Sequence, residues 1–142
     1  MIILDTNVLS ETQRPNPDPK VLAWLDAQAP TSLYLTAITV GELMFGVYSL
    51  APGTRRTRLL EALVTIIEDD FRGRILAYDE AAARIYGEQI GAARRGGITI
   101  GQADGQIAAI ALAHGAATVA TRDRKPFVAM RLDVIDPWDH EG

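Results

Sequence analysis

The sequence predicts an α/β fold, a three-layer sandwich whose central, mostly parallel, twisted sheet of about five strands carries helices on both faces. Three observations lead there. Short apolar runs recur along the chain and stop at polar or turn residues, as strands buried on both faces do. Between them lie longer segments whose apolar residues recur every three or four positions, the spacing of an amphipathic helix. The two kinds of segment alternate, and strands joined through helices form β-α-β units and hence a parallel sheet.

The elements follow in order along the chain. Ile2, Ile3 and Leu4 make the first strand, which stops at Asp5, and a helical stretch follows. Asp18 precedes Pro19 as the N-cap of a helix striped by Val21, Leu22 and Leu25 that ends near Pro30. Residues 33–36 are the second strand. Residues 39–50 then carry Val40, Leu43, Met44 and Val47 at helical spacing, and Pro52-Gly53 closes that helix. Leu59, Leu60, Leu63, Val64 and Ile67 make residues 54–70 an amphipathic helix. Residues 75–78 are the third strand; Asp79 caps the next helix, whose inner face is Ala82, Ile85, Tyr86 and Ile90 and which ends at Gly96-Gly97. Gly87 and Gly91 lie one turn apart on it and would allow a close helix approach. Residues 102–114 form an Ala-rich helix. Residues 117–121 and 132–135 are the fourth and fifth strands, the last stopped by Pro137.

With 142 residues, 48% of them apolar, the chain has the length and composition of one folded domain, taken as residues 1–142. The absence of cysteine excludes disulfides, thiolate metal sites and thiol nucleophiles. Lys and Arg number 14 against 18 Asp and Glu, a net charge of −4 that argues against a generic DNA-coating protein. No apolar run approaches the roughly 18 residues that a membrane span needs, and no basic segment precedes the first strand, so a cytoplasmic protein without a membrane partner is expected. No P-loop and no GxGxxG follows a strand, which leaves nucleotide hydrolysis and dinucleotide binding without support. His114 and His140 stand alone and fit structural roles; Trp24 and Trp138 fit core or interface positions.

In open α/β sheets ligands bind outside the carboxyl ends of the strands, so polar residues just after a strand are the first candidates for chemistry. Four acids stand out: Asp5, Glu42, Asp104 and Asp123. Each has a purely structural explanation. Asp5 and Asp123 could cap the turns that follow their strands. Thr39-Val-Gly-Glu42 fits a capping box. Asp104 could answer the dipole of its helix, although its neighbours Ala103, Ile107, Ala108 and Ala111 are apolar and a carboxylate there needs a partner. One oxygen-ligand metal site would account for all four positions at once. Two carboxylates about 4 Å apart repel by roughly 4 kcal/mol at an effective dielectric near 20, so such a cluster needs protons or a cation. No lysine adjoins any of the four in sequence, and carboxylate with water suits Mg²⁺ or Mn²⁺. Such a site activates water for attack on a phosphodiester.

Read together, Leu4-Asp5-Thr6-Asn7-Val8-Leu9-Ser10-Glu11, Thr39-Val-Gly-Glu42-Leu43, Asp104 before Ile107-Ala108-Ala109, Ala120-Thr121-Arg122-Asp123 and Asp136-Pro137-Trp138 resemble PIN-domain ribonucleases over almost the whole chain. Within that family they are similar to the FitB-like branch of the VapC-type toxins. The resemblance implies an Mg²⁺- or Mn²⁺-dependent endoribonuclease, the toxin of a type II toxin–antitoxin pair, with Asp5, Glu42 and Asp104 as core metal ligands and Asp123 as the fourth acid. It also implies Thr121 and Asn7 as supporting residues, an RNA substrate and a homodimer within a larger assembly. The partner would be a VapB- or FitA-like antitoxin that blocks the acidic site, with DNA reached only through it. Two other readings stay open at this stage: a catalytically silent module that mainly binds a DNA-binding antitoxin for operator autoregulation, and a receiver-like phosphate enzyme. Arg94 and Arg95, and Arg122, Arg124 and Lys125 around Asp123, are candidates for substrate phosphates, although Arg94 and Arg95 better suit a helix C-terminus.

Overall fold

Five short strands, β1 (Ile2–Leu4), β2 (Leu33–Thr36), β3 (Ile75–Leu76), β4 (Thr118–Ala120) and β5 (Asp133–Ile135), pair in the order β3-β2-β1-β4-β5. Every pairing is parallel. The structure is a computed structural model describing residues 1–142. Seven helices complete it: α1 (Thr6–Thr12), α2 (Pro19–Asp26), α3 (Ala37–Tyr48), α4 (Thr54–Thr65), α5 (Glu80–Arg95), α6 (Gln102–Ala113) and α7 (Arg124–Ala129).

Because side chains alternate along a strand, β1 and β4 each feed two cores. Ile3 and Val119 pack with Ile107, Ala108 and Ala111 of α6 and with Phe127 of α7. Leu4 and Ala120 pack on the other face with Val8 of α1 and Val21 and Trp24 of α2. The three layers expected from the sequence are therefore present. The register Ile3↔Val119 and Leu4↔Ala120 brings β1 and β4 to the same sheet edge, where Asp5 and Thr121 leave them.

The structure corrects several boundaries. Helix α3 begins at Ala37 rather than at residue 39, because the Thr36 hydroxyl accepts from the Thr39 N–H at 3.2 Å and serves as the cap. The amphipathic segment 54–70 is helical only to Thr65 and ends in a wide π turn over Ile66–Asp70. On α2 the buried residues are Val21 and Trp24, whereas Leu22 faces solvent. Helix α7 was not expected; its Pro126 lies in the first turn, where a missing N–H costs nothing. A Cβ at Gly87 or Gly91 would meet open space, so those glycines serve no close approach. That role falls to Gly105 of α6, where an added Cβ would lie 2.9 Å from Ile90 Cδ1 and 3.0 Å from Tyr86 Cε2. The tight seat of α6 on α5 fixes the helix turn that carries Asp104.

Candidate active site

The strand order places β1 at the centre, with the chain running outward to β2 and β3 and then returning to β4 on its other side. The crevice beyond β1 and β4 is thus the topological switch point, the usual ligand position in an open parallel sheet. Asp5 sits at its floor, only 4% exposed. Its N–H donates to the Ala120 carbonyl at 2.9 Å, which ties its backbone to β4. Its Oδ1 accepts from the Thr6 N–H at 2.8 Å, so Asp5 does cap α1. Its Oδ2 accepts from the Thr121 hydroxyl at 2.7 Å and, at 3.4 Å, from the Asn7 amide.

Thr121 is saturated by this arrangement. Its one hydroxyl proton goes to Asp5, while its oxygen accepts from the Asp123 N–H at 3.0 Å and from Asn7 Nδ2 at 3.2 Å. Asn7 reaches on to the Arg122 N–H with its Oδ1, at 3.4 Å. Thr121 and Asn7 therefore lock the end of β4 and the start of α1 around the Asp5 carboxylate.

Glu42 does not form a capping box, because Thr36 rather than Thr39 caps α3. From the second turn of that helix it accepts from the Thr6 hydroxyl at 2.7 Å. Thr6 lies 3.1 Å from the buried Thr39 hydroxyl, which lies 3.5 Å from that of Thr36. This link between α1 and α3 is the only hydrogen bond in the structure that steadies the Glu42 carboxylate, which is otherwise exposed. Thr6→Val, which keeps the shape and removes the hydroxyl, should lower cleavage roughly tenfold, the worth of a hydrogen bond to a charged group of about 1.5 kcal/mol. Thr6→Ser should restore it. Initial rates across a metal titration check both variants.

Asp123 precedes α7 without a side-chain capping bond, so the capping explanation fails for it as well. Asp104 stands in the first turn of α6, half-buried. Burial and the neighbouring charges of Asp5, Asp123 and Glu42 push its carboxyl up from 3.8 to about 6. The Asp5 carboxyl is raised too, chiefly by burial and further by Glu42 and Asp123, against the hydrogen bonds from Thr121 and Thr6.

All four acids line one cavity of about 450 Å³. The two ion pairs of the protein, Arg14 with Glu11 and Arg84 with Glu80, involve none of them. A set of hard oxygen donors lacking a paired cation suits Mg²⁺ or Mn²⁺. Asp5, Glu42, Asp104 and Asp123 are the residues that would hold it. No three of these side chains stand in ligating geometry in the structure; the four share the lining of one cavity.

Of the five basic candidates, Arg122 lines the acidic cavity, and Lys125 borders an adjoining hollow that shares Asp104 and Asp123. Arg124 is exposed on α7 and lines neither hollow. Arg94 and Arg95 occupy the last turn of α5, where their charge complements the helix end, and line neither hollow. The sequence reading passed over Thr6, Glu11 and Arg14, all of which line the cavity. Glu11 had a usable signal, an acid at the inner spacing set by Val8 and Leu9 of α1; it is 5% exposed. His114 caps α6, with Nδ1 at 2.9 Å from the Ile110 carbonyl, a structural role.

The chain matches the PIN domain over residues 2–131 and belongs to that family. Among its relatives, the VapC ribonuclease Y4jK of Sinorhizobium fredii is 49% identical, with 98% of this chain and 99% of that protein covered. The toxin FitB of Neisseria gonorrhoeae is 47% identical over 97% of this chain and 99% of its own. A solved structure of FitAB bound to an IR36 DNA fragment superposes with a TM-score of 0.92 at 45% identity, covering 100% of this chain and 99% of that one.

Proposed function

We propose that this PIN domain is an endoribonuclease, dependent on Mg²⁺ or Mn²⁺, that acts as the toxin of a toxin–antitoxin pair. The observation that carries the reading is the gathering of Asp5, Glu42, Asp104 and Asp123, from four separate parts of the chain, around one cavity with no paired cation. Their joint presence favours an active nuclease over a silent binding module. The VapC ribonuclease and FitB relatives support the same activity.

Held by Asp5, Glu42, Asp104 and Asp123, a divalent cation would supply activation of water and neutralisation of developing phosphate charge. The chain's own residues set the geometry for that. Asp5 is fixed by three donors, more than any other of the four acids receives. Glu42 is steered by Thr6, and Asp104 is held by the seat of α6 on α5. Arg122 stands on the cavity wall and Lys125 on the adjoining hollow, where the RNA backbone would pass.

The same uncompensated negative charge suits inhibition by a basic side chain from a cognate antitoxin of VapB or FitA type. The solved FitAB complex bound to a DNA fragment supports a partner of this kind; DNA contact through that partner and a homodimer of the toxin belong to the same proposal. The net charge of −4 agrees with indirect rather than direct DNA binding.

Incubation of the purified chain with single-stranded RNA tests the reading. Cleavage with Mg²⁺ or Mn²⁺ that disappears in chelator is expected. No cleavage with either ion would overturn it.

A further inference from the structure

A nuclease whose floor is acidic must still hold a polyanion, and the only basic residues lining the acidic cavity are Arg14 and Arg122. The same two also line an adjoining hollow of about 630 Å³, bounded on its other side by the segment from Pro15 to Pro19. They therefore stand on the boundary between the four acids and the next stretch of groove.

Both are held from behind. Arg14 Nη1 lies 3.2 Å from Glu11 Oε1, and the other oxygen of that buried carboxylate accepts from the Asp18 N–H at 2.9 Å. Glu11 thus ties Arg14 to the turn before α2. The Arg122 guanidinium lies 4.8 Å above the Trp138 ring. Trp138 packs against the core under α1 and α2, and its backbone N–H donates to Asp136 Oδ1 at 2.9 Å. The Arg122 backbone is anchored between Thr121 and Asp123 through Asn7. Although it stands among acids, Arg122 forms no ion pair. Its N–H donors are free for an outside acceptor, and a planar guanidinium fork matches a phosphate bidentately. Side chains fixed in advance lose less entropy on binding.

We propose that Arg14 and Arg122 form a second anion subsite that grips the phosphodiester next to the scissile one, so that the RNA leaves the acidic cavity along the Pro15–Pro19 groove. Trp138 and Glu11 act as positioning residues for the two guanidinium groups. The inference rests on the nuclease reading above.

The test uses the Asp104→Asn chain in chelator, where cleavage is expected to be suppressed, and a fluorescent single-stranded RNA of mixed sequence titrated across a range of salt. Arg14→Gln and Arg122→Gln, each added to that chain, should weaken binding about tenfold. Each should also lower the slope of log affinity against log salt by about 0.7, one phosphate's share for a single strand. Trp138→Leu, which leaves the charge of Arg122 but removes its support, should weaken affinity while leaving the slope nearer the parent's. Unchanged affinity and slope in both arginine variants, with wild-type cleavage intact, would overturn the subsite alone. Absence of metal-dependent cleavage by the wild type would overturn the subsite and the nuclease reading together. Variants that keep RNA affinity but lose the co-purifying antitoxin would also overturn it, assigning the pair to the protein partner.

Discussion

Asp104→Asn should slow RNA cleavage by at least about 10²-fold, the order lost when one preorganised electrostatic contact to a transition state is deleted, and should nevertheless melt higher than the parent chain in chelator. The two effects have one cause. The Asp104 carboxylate is half-buried and faces the charges of Asp5, Asp123 and Glu42, and its raised pKa has no hydrogen bond to offset it. The amide keeps the shape and removes an uncompensated charge, which favours the folded state; a gain of about 1 kcal/mol corresponds to a few degrees in midpoint for a chain of this size. Asp5→Asn should lose comparable activity without that gain. Its new NH₂ would face the Thr121 oxygen, which already accepts from Asn7 and Asp123 and donates its only proton to Asp5. Scanning calorimetry and RNA cleavage with Mn²⁺ on the two variants separate the roles. A cleaving Asp104→Asn chain would remove that acid from the site. A lower midpoint in chelator would contradict the charge argument.

The sequence disclosed the site unevenly, and the reason is where each acid's partners lie. Asp5 was visible because it ends an apolar strand, and Asp104 because it interrupts an apolar helix face; both signals are local. Glu42 was visible as an acid but not in its role. Its capping-box reading needed the helix to start at residue 39, whereas the Thr36 hydroxyl starts it earlier. The bond that steadies Glu42 comes from Thr6, 36 positions away, across two helices that only tertiary packing brings together. Arg14 and Trp138 were opaque for the same reason: a proline-flanked arginine and a tryptophan near the C-terminus give no hint that they border one groove. Among the fold elements the strands and caps Asp18 and Asp79 were legible, since capping is written within a few residues. Helix α7 was not, because a proline in a first turn and a proline that breaks a helix look alike until the N-terminus is known.

Metal and protons should each stabilise the fold and should compete for the same carboxylates. The folded pKa of Asp104, about 6, lies above its ordinary 3.8, so between those values the folded chain binds more protons than the unfolded one. In chelator, stability therefore falls as pH rises from about 4 through about 6, and the contribution of the protonated form is lost by about pH 7. Asp5, also raised, pulls the same way. A divalent cation binds the ionised carboxylates and so competes with those protons, which makes its affinity rise over the same interval. At a concentration of about 100 times Kd it would stabilise the fold by about 2.7 kcal/mol, several degrees in midpoint. Thermal melts with Mg²⁺ or Mn²⁺ against chelator should accordingly nearly coincide at about pH 5 and separate by several degrees at about pH 7.5. Asp104→Asn should shrink that separation and flatten the chelator profile. A metal increment as large at about pH 5 as at about pH 7.5 would show that the ion binds somewhere other than these four carboxylates.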